Sequence, residues 1–380
     1  PDLAAVPGPV DVVVVLVDPA RLPDLLAQCR DKGVSHAVAL GDLVAPDDND
    51  GPEQLSALRA LIDAGAPRIV GPVCVGVVRP SANLAMTMSS GVLGGPPPSG
   101  SIGLVSQSGG ILSAVLDRAL QFGCGFSALI SSGAEFDLTL ADYLEFLIDD
   151  PETRCIALYA EKIVDPARFF RLADLAHARD KPVLLLKGGV SSRGAAAALT
   201  HSGALASDRA VEDAAFRRHH VLRVDDVDDL LMTARVLAEH RVDPDHGVAA
   251  VSQSGGYCTV MADALERAGV PLADPTPATC ARILRETPVR GVSNPLDSAS
   301  GPPGNNAPHT RSALLAFQDD PNVGATLYGE TMYMYQAEGH SAQVDVMRHG
   351  GKPHLVCWQG GKATEPVIAS LRRQGVTVFD

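Results

Sequence analysis

The residues with the clearest chemical possibilities are one histidine, one glutamate and two copies of a serine–glycine turn. His201 stands in Lys187–Asp208, KGGVSSRGAAAALTHSGALASD, behind the apolar run Val183–Leu186. The stretch reads as a glycine- and alanine-rich loop with a helix start near Ser207. A histidine among small residues has bare backbone around it, which suits a side chain that swings or carries a bulky group such as phosphate. A loop histidine that merely caps or fills is the plainer alternative. Ser106-Gln-Ser-Gly-Gly110 and Ser252-Gln-Ser-Gly-Gly256 each end an apolar strand and open a helix. Such a start offers unpaired N–H groups and about half a positive charge. Glycines let an anion approach the backbone and serines add hydroxyl donors, so Ser106, Ser108, Gly109, Gly110, Ser252, Ser254, Gly255 and Gly256 are expected to bind phosphate. If the two turns face each other, they pinch one phosphate between them, and His201 is the residue to carry it. A histidine nucleophile needs a carboxylate on its other ring nitrogen. Glu161, just past the apolar run Cys155–Ala160, is the candidate, because C-terminal strand ends line the crevice of an open parallel sheet. A solvated acid, or a partner for Lys162, is the alternative.

Other polar residues also follow strand ends. In Ser132–Asp137 (SGAEFD), Glu135 and Asp137 could orient a substrate or a turn, and Asp137 could equally cap a helix from Leu140. In Gly291–Asp297 (GVSNPLD), Asn294 and Asp297 are substrate candidates, with a simple turn as the alternative. Thr331–Met334, including Tyr333, and His309 could line an acyl pocket or pack inside. His219, His220 and His354 lack metal-ligand spacing, and no metal site is expected.

These residues need a scaffold. Short apolar strands, turns and amphipathic helices alternate along the chain, which predicts a parallel α/β architecture. Residues 1–95 read as the later part of a Rossmann-like unit whose first strand is expected before Pro1, and they contain no Gly-x-Gly-x-x-Gly. The turn-rich Gly94–Gly100 (GGPPPSG) and Val242–His246 (VDPDH) bound a second unit, 96–241, and a third, 242–380. Val105–Gly110 recurs letter for letter as Val251–Gly256, so the second and third units read as related open-sheet domains. Pro288–Asn306 reads as a long functional or mobile loop.

Composition narrows the classes. The 31 basic and 45 acidic residues give a net charge of −14, which argues against a general nucleic-acid binder. The seven cysteines have no zinc-type spacing and read as reduced residues of a cytoplasmic protein. No apolar run approaches the roughly 20 residues of a membrane span, and no signal peptide is present.

At these residues the chain resembles the NDP-forming acyl-CoA synthetase superfamily, which includes succinyl-CoA synthetase and the ADP-forming acetate–CoA ligases. The matching pieces are GPVCVG (Gly71–Gly76), GSIGLVSQSGG (Gly100–Gly110), SSGAEFD, DDPETRCIALYAE (Asp149–Glu161), KPVLLLKGG (Lys181–Gly189), THSGALASD (Thr200–Asp208), HVLRVDDVDDLL (His220–Leu231) and SNPLD (Ser293–Asp297). The resemblance implies an α-type subunit: a CoA-binding Rossmann-like domain, then two flavodoxin-like domains. It implies that His201 is phosphorylated, that Glu161 supports it, and that Gly71, Pro72 and Val73 belong to the coenzyme A site. The implied reaction joins a carboxylic acid to coenzyme A at the expense of ATP with Mg2+, through a phosphohistidine and an acyl phosphate. The family's early glycine-rich CoA loop would lie before Pro1. Val73 stands where the family usually has asparagine. No ATP-grasp module is visible, so one is expected on a partner subunit or a further segment, within an oligomer. A non-catalytic CoA-binding paralogue or scaffold, and an NAD-linked Rossmann enzyme, are the competing readings.

Overall fold

The computed structural model describes residues 3–44, 50–202, 208–241, 243, 245–299, 307–331 and 337–379, the side chains of 201, 202 and 337–340 excepted. The chain divides into two compact units, Pro1–Leu120 with Cys124–Ala234, and Gln121–Gly123 with Arg235–Asp380.

The first unit contains two sheets. Strands β1 (Val12–Val15), β2 (His36–Ala39) and β3 (Arg68–Val70) lie parallel in that order, joined by α1 (Leu22–Lys32) and α2 (Gly51–Asp63). Leu22, Leu26, Ala37, Leu58 and Ile69 form their core. The second sheet is built from β4 (Gly76–Arg79), β5 (Leu84–Thr87), β6 (Ser99–Ser106), β7 (Phe126–Ser131), β8 (Cys155–Ala160), β9 (Val183–Lys187) and β10 (Val221–Val224). Its order is β10-β9-β8-β6-β7-β4-β5. The intervening helices are α3 (Gly109–Phe122), α4 (Leu140–Asp149), α5 (Pro166–Ala178), α6 (Ser192–Ser202), α7 (Arg209–Arg218) and α8 (Val227–Glu239). The central strands read as unbroken apolar runs because helices cover both faces; β7 is buried at every position. Local chemistry sets the helix starts. Thr139 and Asp142 make a capping box at α4, and Asp165 accepts from Arg168 N at α5 (2.9 Å).

The second unit holds one parallel sheet of β11 (Gly247–Ser252), β12 (Leu296–Asp297), β13 (Val323–Thr331), β14 (His354–Gln359) and β15 (Thr377–Phe379), in the order β12-β11-β13-β14-β15. Helices α9 (Gly255–Arg267), α10 (Pro277–Glu286), α11 (Ala307–Asp319), α12 (Ala337–His349) and α13 (Glu365–Arg373) flank it. Counted from the first strand of each repeat, β6–β10 and β11–β15 share the flavodoxin-like order 2-1-3-4-5. In that order the switch point lies between the first and third strands. The two serine–glycine turns leave those first strands. No described helix is long and apolar enough to cross a membrane.

Two expectations are refined. The stretch before His201 is not all loop: α6 runs through Ser192–Ser202, with the backbone of His201 in its last turn. Ala195–Leu199 (AAAAL) are among the strongest helix formers, and they outweigh the flanking glycines. The expected helix start at Ser207 lies outside the described residues; Asp208 caps α7, its carboxylate accepting from Ala210 N. The parallel architecture holds except at one edge, where β4 and β5 form an antiparallel hairpin and β4 pairs antiparallel with β7. These strands are too short to show a period of two, so only the Pro80–Asn83 turn marked them.

Candidate functional site

The switch point of the first unit is where β6 and β8 end side by side, Ser106 opposite Tyr159. Gln107, the first residue beyond β6, joins the two ends. Its Oε1 accepts from the amides of Glu161 (2.7 Å) and Lys162 (3.1 Å), and its Nε2 donates to Lys162 O (2.8 Å) and to Glu135 Oε1 (2.9 Å). The Glu161 carboxylate accepts from Tyr159 Oη at 3.2 Å. Burial, then the charge of Glu161, pushes the Tyr159 phenol up to about 12. Gly188 follows β9 at this edge, and a β-carbon there would stand 2.9 Å from Tyr159 Oη and 3.2 Å from Glu161 Cγ. Lys187 donates to the carbonyls of Glu161 and Gly188, both at 2.7 Å. Burial lowers its pKa, opposed by the charge of Glu212. Glu161 is thus held by its backbone from two sides and by its carboxylate from a third.

The start of α3 stands beside this cluster. Ser106 is fully buried; its hydroxyl donates to Ser108 O (2.7 Å) and accepts from Ser108 N (3.2 Å). Ser106 therefore shapes the turn, which corrects its expected role as a phosphate donor. Ser108 Oγ accepts from Ile111 N at 3.3 Å. What remains for an anion is the Ser108 hydroxyl and the amides of Gly109 and Gly110, in a first turn that has no acceptors within the helix.

Two loops close the site. Gly71 and Pro72 are buried, and their carbonyls accept from Phe136 N (3.1 Å) and Ala134 N (2.9 Å). Gly133 has φ +60°, and a β-carbon there would stand 2.0 Å from Pro72 O, so the loop accepts glycine alone. Asp137 does not cap α4, where Thr139 does; it accepts from Ile69 N (2.7 Å) and Arg68 Nε (2.9 Å). Val73 is 55% exposed with φ 53°, a region costly for a β-branched residue and tolerant of asparagine. Val73→Asn is therefore expected to raise unfolding stability by about 1 kcal/mol. Urea titration checks this, and an unchanged or lower midpoint contradicts it.

The second turn belongs to the other unit. Ser252 is buried, its hydroxyl accepting from Ser254 N (3.0 Å), so it too shapes a turn instead of facing a ligand. Ser254 caps α9 by accepting from Tyr257 N (3.3 Å), and Gly255 and Gly256 are exposed. Asn294, expected as a substrate candidate, spends its amide on the backbone. Its amide accepts from Ala250 N (2.9 Å) and donates to Val248 O and Ala273 O, both 2.8 Å, which pins its loop to the sheet. Asp297 is exposed at the end of β12, and its charge adds to burial in pushing the Cys258 thiol up to about 11. His309 is half-buried on α11, and Tyr333 and Met334 lie outside the described residues. So does the His201 side chain, whose backbone ends α6.

Sequence reading missed Gln107, Lys187 and a buried pair in the second unit, Tyr328 and Glu330. Tyr328 Oη donates to Glu330 Oε2 (2.5 Å), and burial pushes the Glu330 carboxyl up to about 7. The echo of Leu158–Glu161 (LYAE) in Leu327–Glu330 (LYGE) offered a signal, but the two are not equivalent. Ser106 opposes Tyr159, whereas Ser252 opposes Gly329, and a one-residue shift turns a strand's side chains to the other face.

A family model described as a succinyl-CoA ligase like flavodoxin domain matches residues 99–237. The alpha subunit of acetate–CoA ligase (ADP-forming) II from Pyrococcus furiosus is 30% identical over 384 residues, spanning 99% of this chain and 81% of that one. Acetate–CoA ligase (ADP-forming) I from Archaeoglobus fulgidus is 29% identical across 100% of the chain, which covers 53% of that longer protein. Among solved structures, the dinucleotide forming acetyl-coenzyme A synthetase 1 of Ca. Korarchaeum cryptofilum, in complex with phosphate and ADP, superposes with a TM-score of 0.88 at 25% identity, covering 100% of this chain and 81% of that one.

Proposed function

The chain belongs to the NDP-forming acyl-CoA synthetase superfamily, among the ADP-forming acetate–CoA ligase alpha subunits, and from that premise we propose that it makes acyl-CoA from a carboxylic acid, coenzyme A and ATP, releasing ADP and phosphate. The observation that carries this reading is the junction at the switch point, where Gln107 ties the helix start at Gly109 to the strand end that presents Glu161.

In this reading a nitrogen of His201 takes the γ-phosphoryl group of ATP and ADP leaves. A carboxylate oxygen of the acid then takes the phosphoryl group from His201, giving an acyl phosphate. The thiol of coenzyme A attacks the acyl carbon, its proton is lost, and phosphate departs. Glu161 holds the second ring nitrogen and balances the charge of the phosphorylated imidazole. Ser108 and the amides of Gly109 and Gly110 offer fixed dipoles to the phosphoryl oxygens. Ser254, Gly255 and Gly256 repeat that chemistry on the second unit. Gly71, Pro72 and Val73 contribute to the coenzyme A site. We assign 1–95 to coenzyme A binding, 96–241 to the histidine-bearing ligase domain and 242–380 to the second ligase domain.

The relatives are named both as alpha subunits and as a longer single protein, which supports a partner ATP-grasp domain or subunit for this chain. In this reading ATP and Mg2+ bind mainly there, the assembly is an oligomer, and its need for ATP and coenzyme A fits the cytoplasm. The non-catalytic reading is not favoured, since the relatives are named as ligases. The chain is expected to acquire an acid-labile, alkali-stable label from γ-labelled ATP with the nucleotide-binding partner, or from labelled acetyl phosphate alone. His201→Ala is expected to abolish it, and a label retained in that variant refutes the reading.

A further inference from the structure

We propose that Gln107 and Glu135 are positioning residues for the reaction, with Glu135 anchoring the Gln107 amide and that amide setting the place of Glu161. The inference rests on the phosphohistidine reading above.

A primary amide has two faces of opposite polarity. Gln107 uses both: its oxygen receives two backbone N–H groups, from Glu161 and Lys162, and its nitrogen gives two bonds, to Lys162 O and Glu135 Oε1. A flipped amide would set its nitrogen against those two N–H groups and its oxygen against two acceptors. The choice is therefore between one arrangement with every bond made and one with every bond lost. Glu135 Oε1 accepts from Nε2 and so anchors the orientation that the backbone of Glu161 and Lys162 also selects. Ser132 Oγ donates to the same Glu135 oxygen at 2.9 Å, so the carboxylate is anchored independently of Gln107.

The setting shows how far Glu135 is committed to this contact. It is 7% exposed, on a non-glycine backbone at φ 58°, and it leaves the Gly133 turn that clasps Pro72. Burial holds its carboxyl above the ordinary range, against the pull of Gln107, Ser132, the Leu140 amide and the charge of Lys162. A buried carboxylate that only packed would cost less as an apolar residue. In this proposal Glu135 acts through Gln107, whose Nε2 donates to its Oε1 at 2.9 Å, and so orients Glu161 in place of the substrate role expected from the sequence.

The test measures single-turnover phosphorylation of the full chain by labelled acetyl phosphate. Glu135→Ala is expected to slow the step about tenfold to a hundredfold, with little change in half-saturating acetyl phosphate, because about 1 Å of misplacement suffices for losses of that size. Glu135→Gln, which keeps an acceptor for Gln107 Nε2 and the size of the side chain, is expected to recover most of the rate. Wild-type rate in Glu135→Ala, or an equal loss in Glu135→Gln, overturns the proposal. If Glu135→Ala does not fold, Gln107→Met is read instead: a tenfold loss at an unchanged thermal midpoint supports it and a wild-type rate overturns it. A wild type that takes no label from acetyl phosphate or from ATP with the partner instead refutes the phosphohistidine reading.

Discussion

Glu161→Gln is expected to lower acyl-CoA formation by the complete assembly about 10²–10⁴-fold while leaving the fold intact. The substitution keeps the length of the side chain, and Gln107 and Lys187 hold residue 161 by its backbone, which the change does not touch. What is lost is the negative charge that Tyr159 Oη addresses at 3.2 Å. In the proposed mechanism a phosphorylated imidazole beside a neutral amide has no counter-charge, and the N–H of the non-attacking ring nitrogen loses the carboxylate that fixes the tautomer. The loss is expected in the rate of His201 labelling, with half-saturating coenzyme A unchanged. Turnover within threefold of wild type would remove Glu161 from the mechanism. A matching fall in thermal midpoint would mean that the residue serves the fold.

The second unit is expected to lose stability as pH falls below 6.5, through His354. This ring is buried in β14, with Nδ1 beside Thr326 Oγ1 (2.9 Å) and Nε2 beside Gln343 Oε1 (3.0 Å). Burial pulls its pKa from 6.5 down to about 3, and His240 adds to the shift. The folded ring stays neutral while the unfolded ring takes up a proton, so the unfolded state binds more protons over the window between the two values. Stability is fully present above 6.5 and falls by up to about 1.4 kcal/mol per pH unit toward 3. Trp358, the single tryptophan, is 2% exposed on the same strand, so its fluorescence in urea follows the unfolding of this unit. His354→Gln is expected to be less stable than wild type by about 1–3 kcal/mol at pH 8, with a flatter dependence between pH 6.5 and 4.5. An unchanged slope in the variant assigns the acid sensitivity to other groups.

Much of the fold is legible in the chain because each clue is local. Cys155–Ala160 and Pro166–Ala178 coincide with the predicted strand and helix, since an apolar run and an Asp-Pro start carry their own signals. The repeat of Val105–Gly110 at Val251–Gly256 announces two sheets of one topology, and both have the order 2-1-3-4-5. The errors have equally physical causes. Glycines drew the reading of α6 toward loop, although the alanines between them favour helix. The β4–β5 hairpin is too short for alternation to show.

The candidate site divides along the same line. Helix starts and strand ends follow from neighbours in sequence, so Ser108–Gly110 and Glu161 could be named as candidates from the letters alone. Gln107, Glu135 and Lys187 acquire their roles from residues 26 to 55 positions away, and strand order determines which ends meet. A serine in the same motif faces inward or outward by the pitch of its turn, which is why Ser106 and Ser252 serve the backbone while Ser108 and Ser254 stand at helix starts. Local periodicity records which face of a segment is apolar. It holds no record of which distant amide that segment will find beside it, because hydrogen-bond partners depend on the packing of the whole sheet.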